Sequence, residues 1–304
     1  MIGAMAGAAQ EALLAEIEAI VRRPAGGSTI PAADATDLVA RHGLASTTEL
    51  ALHALPLAAA MARPSISGFR VAAVGIEAET GDLLLGGNVE FPGSDLTTTI
   101  HAEGFVSVRA RNLGHALATL AVRTAHPCAH CRQTLSESAS ADELVLVDLE
   151  GSRLTLGDLY PWPFRSEALG IDGDVPGRLG WPNLTLVTPA PPAAFAGALL
   201  EAGMRAHAPY SSAPSAVALR TSDGRVHAAG CIESVAFNPS FSALQAALVE
   251  VVAAAMDPGS VVEGWLAKTD GGPVDPEPGF RSLLRAVAPD ASAHVARWQA
   301  GQAQ

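Results

Sequence analysis

Two short stretches decide the reading of this chain: His101-Ala102-Glu103, and further along Pro127-Cys128-Ala129-His130-Cys131. Cysteines at i and i+3 on the first turn of a helix face the same way. A helix N-terminus and a bound cation both favour their thiolate forms. A histidine from the start of a neighbouring helix, His101, completes a set of three nitrogen and sulfur ligands suited to zinc. Three protein ligands leave the fourth tetrahedral position for water, the pattern of a catalytic rather than a structural site. Zinc lowers the pKa of such a water to roughly 7. Glu103, two residues from a ligand, is placed to reach that water and shuttle protons without itself binding the metal.

Rival readings of the same residues exist. A Cys-x-x-Cys pair can be a redox couple, but that leaves His-Ala-Glu unexplained. A structural zinc site needs a fourth protein ligand, which His126 or His130 would have to supply. Otherwise these two histidines are surface residues or lie just behind the ligands, and Cys231 is a small core residue.

Outward from the motif, residues 9–22 carry Leu13, Leu14, Ile17, Ile20 and Val21 at helical spacing. Asp34 is a candidate cap for a second helix through Arg41, and residues 48–62 form a third, kinked or started near Pro56. The period then changes. Phe69 to Ala78 and Asp82 to Val89 read as strands joined by a turn at Thr80-Gly81-Asp82. A helix is expected from about Ile100 to Leu113, a strand from Leu117 to Val122, a helix opened by Pro127, and a strand from Leu144 to Leu149. Residues 157–183, rich in proline, glycine and tryptophan, read as a linker or a flap. Pro189 to Ala206 begins a second unit with a helix. Ser215 to Thr221 and Arg225 to Ile232 form a hairpin about Asp223-Gly224. Strands alternating with helices give an α/β fold with a mostly parallel or mixed sheet.

The second unit repeats the first at an offset of 143 residues. Gly81 matches Gly224, and Gly87-Asn88-Val89-Glu90 matches Gly230-Cys231-Ile232-Glu233. At that constant offset His101-Ala102-Glu103 falls on Leu244-Gln245-Ala246, while Cys128 and Cys131 fall on Gly271 and Val274. The second unit is thus expected to be a copy without the ionisable residues.

Composition narrows the possibilities. The 304 residues suit about two domains. Hydrophobic residues make up 49% and charged residues 16%, which excludes a disordered chain. The net charge is −12 and Lys268 is the only lysine, a poor match for nucleic acid. The N-terminus lacks a basic segment before its apolar pattern and does not read as a signal peptide. The longest apolar run, Leu50 to Met61, is too short to span a bilayer and contains His53 and Pro56. A cytoplasmic protein without nucleic-acid or membrane partners is expected.

Several segments together resemble the cytidine deaminase family, in its long-chain, zinc-dependent form with a degenerate C-terminal copy. They are SGFRVAAVG (67–75), GGNVEFPG (86–93), HAEG (101–104), HPCAHCRQTLSE (126–137), PYSSAPSAVAL (209–219) and AFNPSFSALQAAL (236–248). The resemblance implies a duplicated α-β-α layered fold with a mixed sheet. Its divisions are a helical region at 1–48, a catalytic domain at 49–156, a linker or flap at 157–187 and a non-catalytic copy at 188–304. It implies His101, Cys128 and Cys131 as ligands of one zinc ion per chain, and Glu103 as the proton shuttle. Asn88 and Glu90 match the pair that hydrogen-bonds the ribose, and their i, i+2 spacing puts both side chains on one face. Phe69 matches an aromatic packing on the pyrimidine, Ala102 belongs to the substrate contacts, and Phe164 matches a flap aromatic over the base.

The implied reaction is hydrolytic deamination of cytidine and 2′-deoxycytidine to the uridines and ammonia, as in pyrimidine salvage. The implied assembly is a homodimer whose partner helps to close the site. Alternatives are a deaminase of a modified or antibiotic aminopyrimidine nucleoside, and a catalytically silent, zinc-stabilised dimeric scaffold. Four positions depart from the family pattern. Gly104 replaces a polar or basic residue, Ala72 and Ala129 replace glycine, and His126 replaces a small hydroxylated residue.

Overall fold

The strand–helix alternation produces two sheets that share the topology of a four-strand core. The computed structural model describes residues 7–23, 26–124, 126–137, 141–171, 180–187 and 190–301. The chain opens with helix α1 (Gly7–Val21), a short strand β1 (Thr29–Ile30) and helices α2 (Ala32–His42) and α3 (Thr47–Met61). The first unit continues with β2 (Ala72–Glu77), β3 (Leu83–Gly87), α4 (Ala102–Leu113), β4 (Leu117–Arg123), α5 (Ala129–Leu135), β5 (Val145–Val147), β6 (Arg153–Thr155) and α6 (Leu156–Leu159). The second comprises β7 (Thr185–Leu186), α7 (Ala193–Met204), β8 (Ser215–Thr221), β9 (Val226–Gly230), α8 (Ala243–Ala253), β10 (Val261–Thr269), α9 (Glu277–Val287) and β11 (Ser292–Gln299).

The first sheet runs β1-β3-β2-β4-β5-β6 and the second β7-β11-β10-β8-β9. In each, a hairpin pairs antiparallel with the next strand, which then pairs parallel with its neighbour (β4 with β5, β10 with β11). A parallel pair needs a crossover, and α5 and α9 lie in those connections. Both sheets are therefore mixed, with antiparallel pairs in the majority.

Alternation along the strands sets the layers. Ala72, Val74 and Ile76 of β2 face Leu13, Ile17, Leu50 and Leu55 of α1 and α3. Ala73 faces Val106 of α4 and Leu120 and Val122 of β4. In the second sheet, Ala216 and Ala218 face Phe195 and Leu199 of α7, while Val217 and Leu219 face Leu244 and Leu248 of α8. Phe105 and Val108 of α4 share that last cluster. Helices α4 and α8 thus pack on each other between the sheets. The two units share a close approach as well. A Cβ on Gly87 would stand 2.6 Å from the Ala62 nitrogen, and one on Gly230 would stand 2.7 Å from the Ala202 oxygen. Only glycine fits where the end of α3, or of α7, crosses the hairpin.

Several local expectations change. Residues at both ends of the expected strands lie outside the ladders, so β2 begins at Ala72 and β3 ends at Gly87. Asp34 does not cap α2; the cap position is Pro31, and the Asp34 carboxylate instead accepts from Arg23 at 2.6 Å. Helix α3 continues through Pro56. Pro127 lies one residue before the cap of α5, which is Cys128. The constant offset of the repeat also fails beyond the hairpin. Val89 bridges Ile100, and Ile232 bridges Phe241, so the intervening loop is two residues shorter in the second unit. His101 therefore corresponds to Ser242, the cap of α8, and Glu103 to Leu244. Cys128 corresponds to Pro276, the cap of α9, and Cys131 to Gly279. Pro189 and residues 172–179 of the expected linker lie outside the described residues.

Candidate active site

Two helix N-termini meet at the site. His101 is the cap residue of α4 and Cys128 that of α5, and neither side chain makes a capping hydrogen bond. The second unit shows the contrast: Ser242 accepts from the Gln245 N–H in a full capping box. A side-chain cap contributes about 1 kcal/mol. The first unit forgoes it twice and leaves an imidazole and a thiol free to face one another.

The His101 Nδ1 lies 3.5 Å from the Cys128 Sγ and 3.3 Å from the Cys131 Sγ, and the two sulfurs are 3.6 Å apart. Tetrahedral zinc with Zn–S of about 2.3 Å and Zn–N of about 2.0–2.1 Å requires S···S of about 3.8 Å and S···N of about 3.6 Å. The triangle matches those edges to within a few tenths of an ångström. Among the described residues this is the one cluster of three or more potential ligands. His126 and His130 stand outside it, so the four-ligand structural reading finds no fourth residue there. His126 Nε2 lies 2.9 Å from the Asp148 Oδ2, and His130 Nε2 lies 3.0 Å from the Asn238 carbonyl oxygen. Cys231 is buried; its Sγ accepts from the Ser215 N–H.

The electrostatics fit a cation. Sharing a proton with Cys131 pulls the Cys128 thiol down to about 4, while the same contact and burial push the Cys131 thiol up. Two thiols this close favour loss of a proton from one of them, and a metal ion can take that proton's place between the sulfurs. Glu103 is 3% exposed. Burial raises its pKa above the usual glutamate range, with the neighbouring Cys128 thiolate adding to the effect.

Asn88 and Glu90 flank Val89, which pairs with Ile100 (Val89 N to Ile100 O, 2.8 Å). That pairing lays both residues alongside His101. The Asn88 Oδ1 accepts from the Val71 N–H at 2.9 Å, and its Nδ2 donates to the Phe69 carbonyl at 3.0 Å. Glu90 accepts from the Ile66 and Ser67 N–H groups at 2.7 and 2.8 Å and from the Ser67 hydroxyl at 2.5 Å. Burial works against its charge, but these donors hold its pKa below the usual range. Both side chains thus shape the 66–71 segment that carries Phe69. The second unit repeats the arrangement, with Glu233 accepting from the Tyr210 and Ser211 N–H groups at 3.0 and 3.1 Å. Phe69 is 53% exposed and so does not serve the core. Ala102 is fully buried beneath the site.

Phe164 is 43% exposed, and its backbone is fastened to the cysteine helix. Gln133 donates to the Phe164 carbonyl at 2.8 Å and accepts from its N–H at 3.3 Å and from the Tyr160 hydroxyl at 2.8 Å. Arg132 donates to the carbonyls of Pro127 at 2.8 Å and Leu159 at 2.9 Å. The sequence reading assigned these two residues no task. Their position directly after Cys131 was the available signal.

Two of the four departures have local surroundings that account for them; nothing in the structure explains Ala72 or Ala129. A Cβ on Gly104 would stand 2.6 Å from the Phe241 Cζ. Position 104 therefore faces the second unit, and Phe241 fills the space a side chain would take. His126 has its own partner in Asp148.

Known proteins match both units of the chain. Residues 45–147 and, separately, residues 185–278 match models of the cytidine and deoxycytidylate deaminase zinc-binding region. The chain is 36% identical to a cytidine deaminase of Aliivibrio fischeri over 83% of each chain. It is 34% identical to one of Sodalis glossinidius over 77% of this chain and 78% of the relative. A solved cytidine deaminase of Mycobacterium tuberculosis aligns with 38% of this chain and 96% of its own length, at 28% identity and a TM-score of 0.35. With both units matched by one family and relatives aligned over about four-fifths of the length, the chain belongs to the cytidine deaminase family and is a zinc-dependent deaminase.

Proposed function

We propose that the chain hydrolyses cytidine and 2′-deoxycytidine to the corresponding uridines and ammonia, in pyrimidine salvage. The observation that carries this is Glu103: a buried carboxylate one residue into α4, beside a His-Cys-Cys triangle of tetrahedral dimensions. His101, Cys128 and Cys131 would hold zinc. When bound, the ion supplies a water made nucleophilic near neutral pH.

Glu103 performs the proton transfers. Its raised pKa brings the carboxyl toward neutrality, where it takes and returns protons efficiently. It accepts a proton from the attacking water, delivers one to the ring N3, and passes one to the departing amino group. Water adds at C4 and ammonia leaves, so the equation balances as cytidine plus water giving uridine plus ammonia. Asn88 retains one N–H and one lone pair beyond its contacts to residues 69 and 71, and with Glu90 it would hold the sugar hydroxyls. Phe69, exposed on the segment these residues shape, would pack on the base. Phe164 would cover it from the anchored flap, while Ala102, with no exposed surface, would back the floor from the core. Two carboxylates at the site disfavour a phosphorylated substrate. A homodimer in which a partner covers the exposed aromatics completes the reading. The unpaired close thiols suit the reducing cytoplasm. No described helix is long and apolar enough to cross a membrane.

The test is a substrate panel followed by ultraviolet absorbance, with zinc assayed on the same sample. The expected result is loss of the cytidine and 2′-deoxycytidine signals at about one zinc per chain. Turnover confined to a modified aminopyrimidine would replace the substrate, and zinc without turnover on any member would refute the catalytic reading.

A further inference from the structure

Helix α5, which carries both cysteines, spans seven residues. A helix this short does not hold itself in water; what docks on it sets its position. His130 and Thr134 lie one turn apart on one face of α5, and Glu137 follows in the turn just past its end. All three meet the second unit. The His130 Nε2 is 3.0 Å from the Asn238 carbonyl oxygen, and the Thr134 hydroxyl donates to the Pro239 carbonyl at 3.1 Å. The Glu137 carboxylate accepts from the Tyr210 hydroxyl at 2.6 Å, the Ser234 hydroxyl at 3.0 Å and the Val235 N–H at 2.7 Å.

Glu137 has no reason to be charged and buried unless these contacts matter. It is 8% exposed, and burial alone would neutralise it. The neighbouring His207 first, then the converging Tyr210, Val235 and Ser234 donors, keep its pKa below the usual glutamate range. His207, 2% exposed, stands 3.8 Å away with an Nε2 that has no hydrogen-bond partner among the described residues. Burial holds that imidazole neutral, at about 4. The carboxylate is therefore satisfied by neutral donors of the second unit rather than by a direct ion pair. Such groups fix direction through hydrogen-bond geometry.

We propose that Glu137 is a positioning residue for the deamination site: through it the second unit, within the same chain, sets α5 and thereby the placement of Cys128 and Cys131. This rests on the deaminase reading above. It gives the degenerate unit a task in its own chain, whatever a partner subunit contributes.

The test uses full-length, zinc-loaded Glu137→Ala, Glu137→Gln and Tyr210→Phe proteins. Three quantities are compared with wild type: kcat and KM for cytidine, the rate of zinc release to excess chelator, and the visible spectrum of the cobalt-substituted protein. Groups supporting metal ligands change activity or metal affinity by about 10–100-fold when removed. Glu137→Ala is therefore expected to lower kcat and speed zinc release by about tenfold or more, with KM within about threefold of wild type and a shifted cobalt spectrum. Glu137→Gln, whose carbonyl still accepts, is expected to recover most of the loss, and Tyr210→Phe to fall between. A Glu137→Ala protein that melts earlier yet matches wild type in kcat, zinc release and cobalt spectrum would overturn the proposal, leaving Glu137 as an adhesive between units. If Glu137→Ala does not fold, Tyr210→Phe decides by the same criteria. If wild type does not turn over cytidine, the functional reading fails, while zinc release and the cobalt spectrum still judge Glu137.

Discussion

Replacing Gly104 by alanine probes the packing between the units at the residue next to Glu103. The new Cβ would stand 2.6 Å from the Phe241 Cζ and 3.4 Å from both Cε atoms. Carbon atoms rest at about 3.5–4.0 Å, so the ring must retreat by about 1 Å. Phe241 is 6% exposed and packs in one cluster with Ile100, Phe105 and Leu244, so the retreat disturbs all of them. Overpacking of this kind costs about 1–3 kcal/mol, against about 1 kcal/mol gained by replacing glycine within a helix. The net expectation is a loss of about 1 kcal/mol. Gly197 supplies the control: it lies inside α7 with nothing within 4 Å of its Cβ position, so alanine there should gain about 1 kcal/mol. The two variants thus differ by about 2 kcal/mol and in sign, or about 4–8 °C in Tm. Phe241→Leu should relieve the clash, with a coupling of about 1–2 kcal/mol to Gly104→Ala. Calorimetric unfolding of the zinc-loaded proteins reads all three. If Gly104→Ala raises Tm as much as Gly197→Ala, the packing of Phe241 on α4 is wrong.

Removing zinc with a chelator should abolish turnover and expose Cys128, whose depressed pKa of about 4 makes it react rapidly with a thiol reagent at neutral pH. Cys231, pushed up to about 11 by burial, should react only on unfolding, so equal rates at both would contradict the site. Asp148 is held at about 2 against burial by His126 and Ser152. A depressed carboxyl stabilises above its unfolded pKa and loses that contribution as pH falls through the folded value. The Tm advantage of wild type over Asp148→Asn should therefore be full at pH 6 and shrink between about pH 4 and 2; an advantage independent of pH would count against the contact. Arg109, 6% exposed, pairs with Glu250 of the second unit and donates to the Gly27 carbonyl at 2.8 Å. Arg109→Met should cost about 3–5 kcal/mol in a denaturant titration, and a change below about 1 kcal/mol would show the pair to be dispensable.

What could be read from the sequence was whatever depends on short spacing. His-x-Glu and Cys-x-x-Cys place their ligands through the geometry of single helical turns, so the triangle followed from the motif. The hairpins followed from short apolar runs on either side of turns at Gly81 and Gly224. What could not be read depends on contacts between distant segments. The repeat kept its 143-residue offset through Glu90 and lost it in the next loop, because loop length is invisible to a fixed register. That slip moved the counterpart of His101 from Leu244 to Ser242, a residue that does the capping His101 forgoes. The fastening of Phe164 by Gln133, and of α5 by Tyr210 and Ser234, joins residues 31 and more positions apart. No periodicity signals those contacts. Nor did the spacing of Asn88 and Glu90 show that both also hold backbone groups of the 66–71 segment.

The most direct test of the account is cytidine turnover and zinc content measured together for wild type and Glu103→Ala. The account predicts about one zinc per chain in both, with turnover lowered by at least about 10³-fold in the variant. A variant that retains wild-type turnover, or a wild type that deaminates cytidine with no zinc bound, would contradict it.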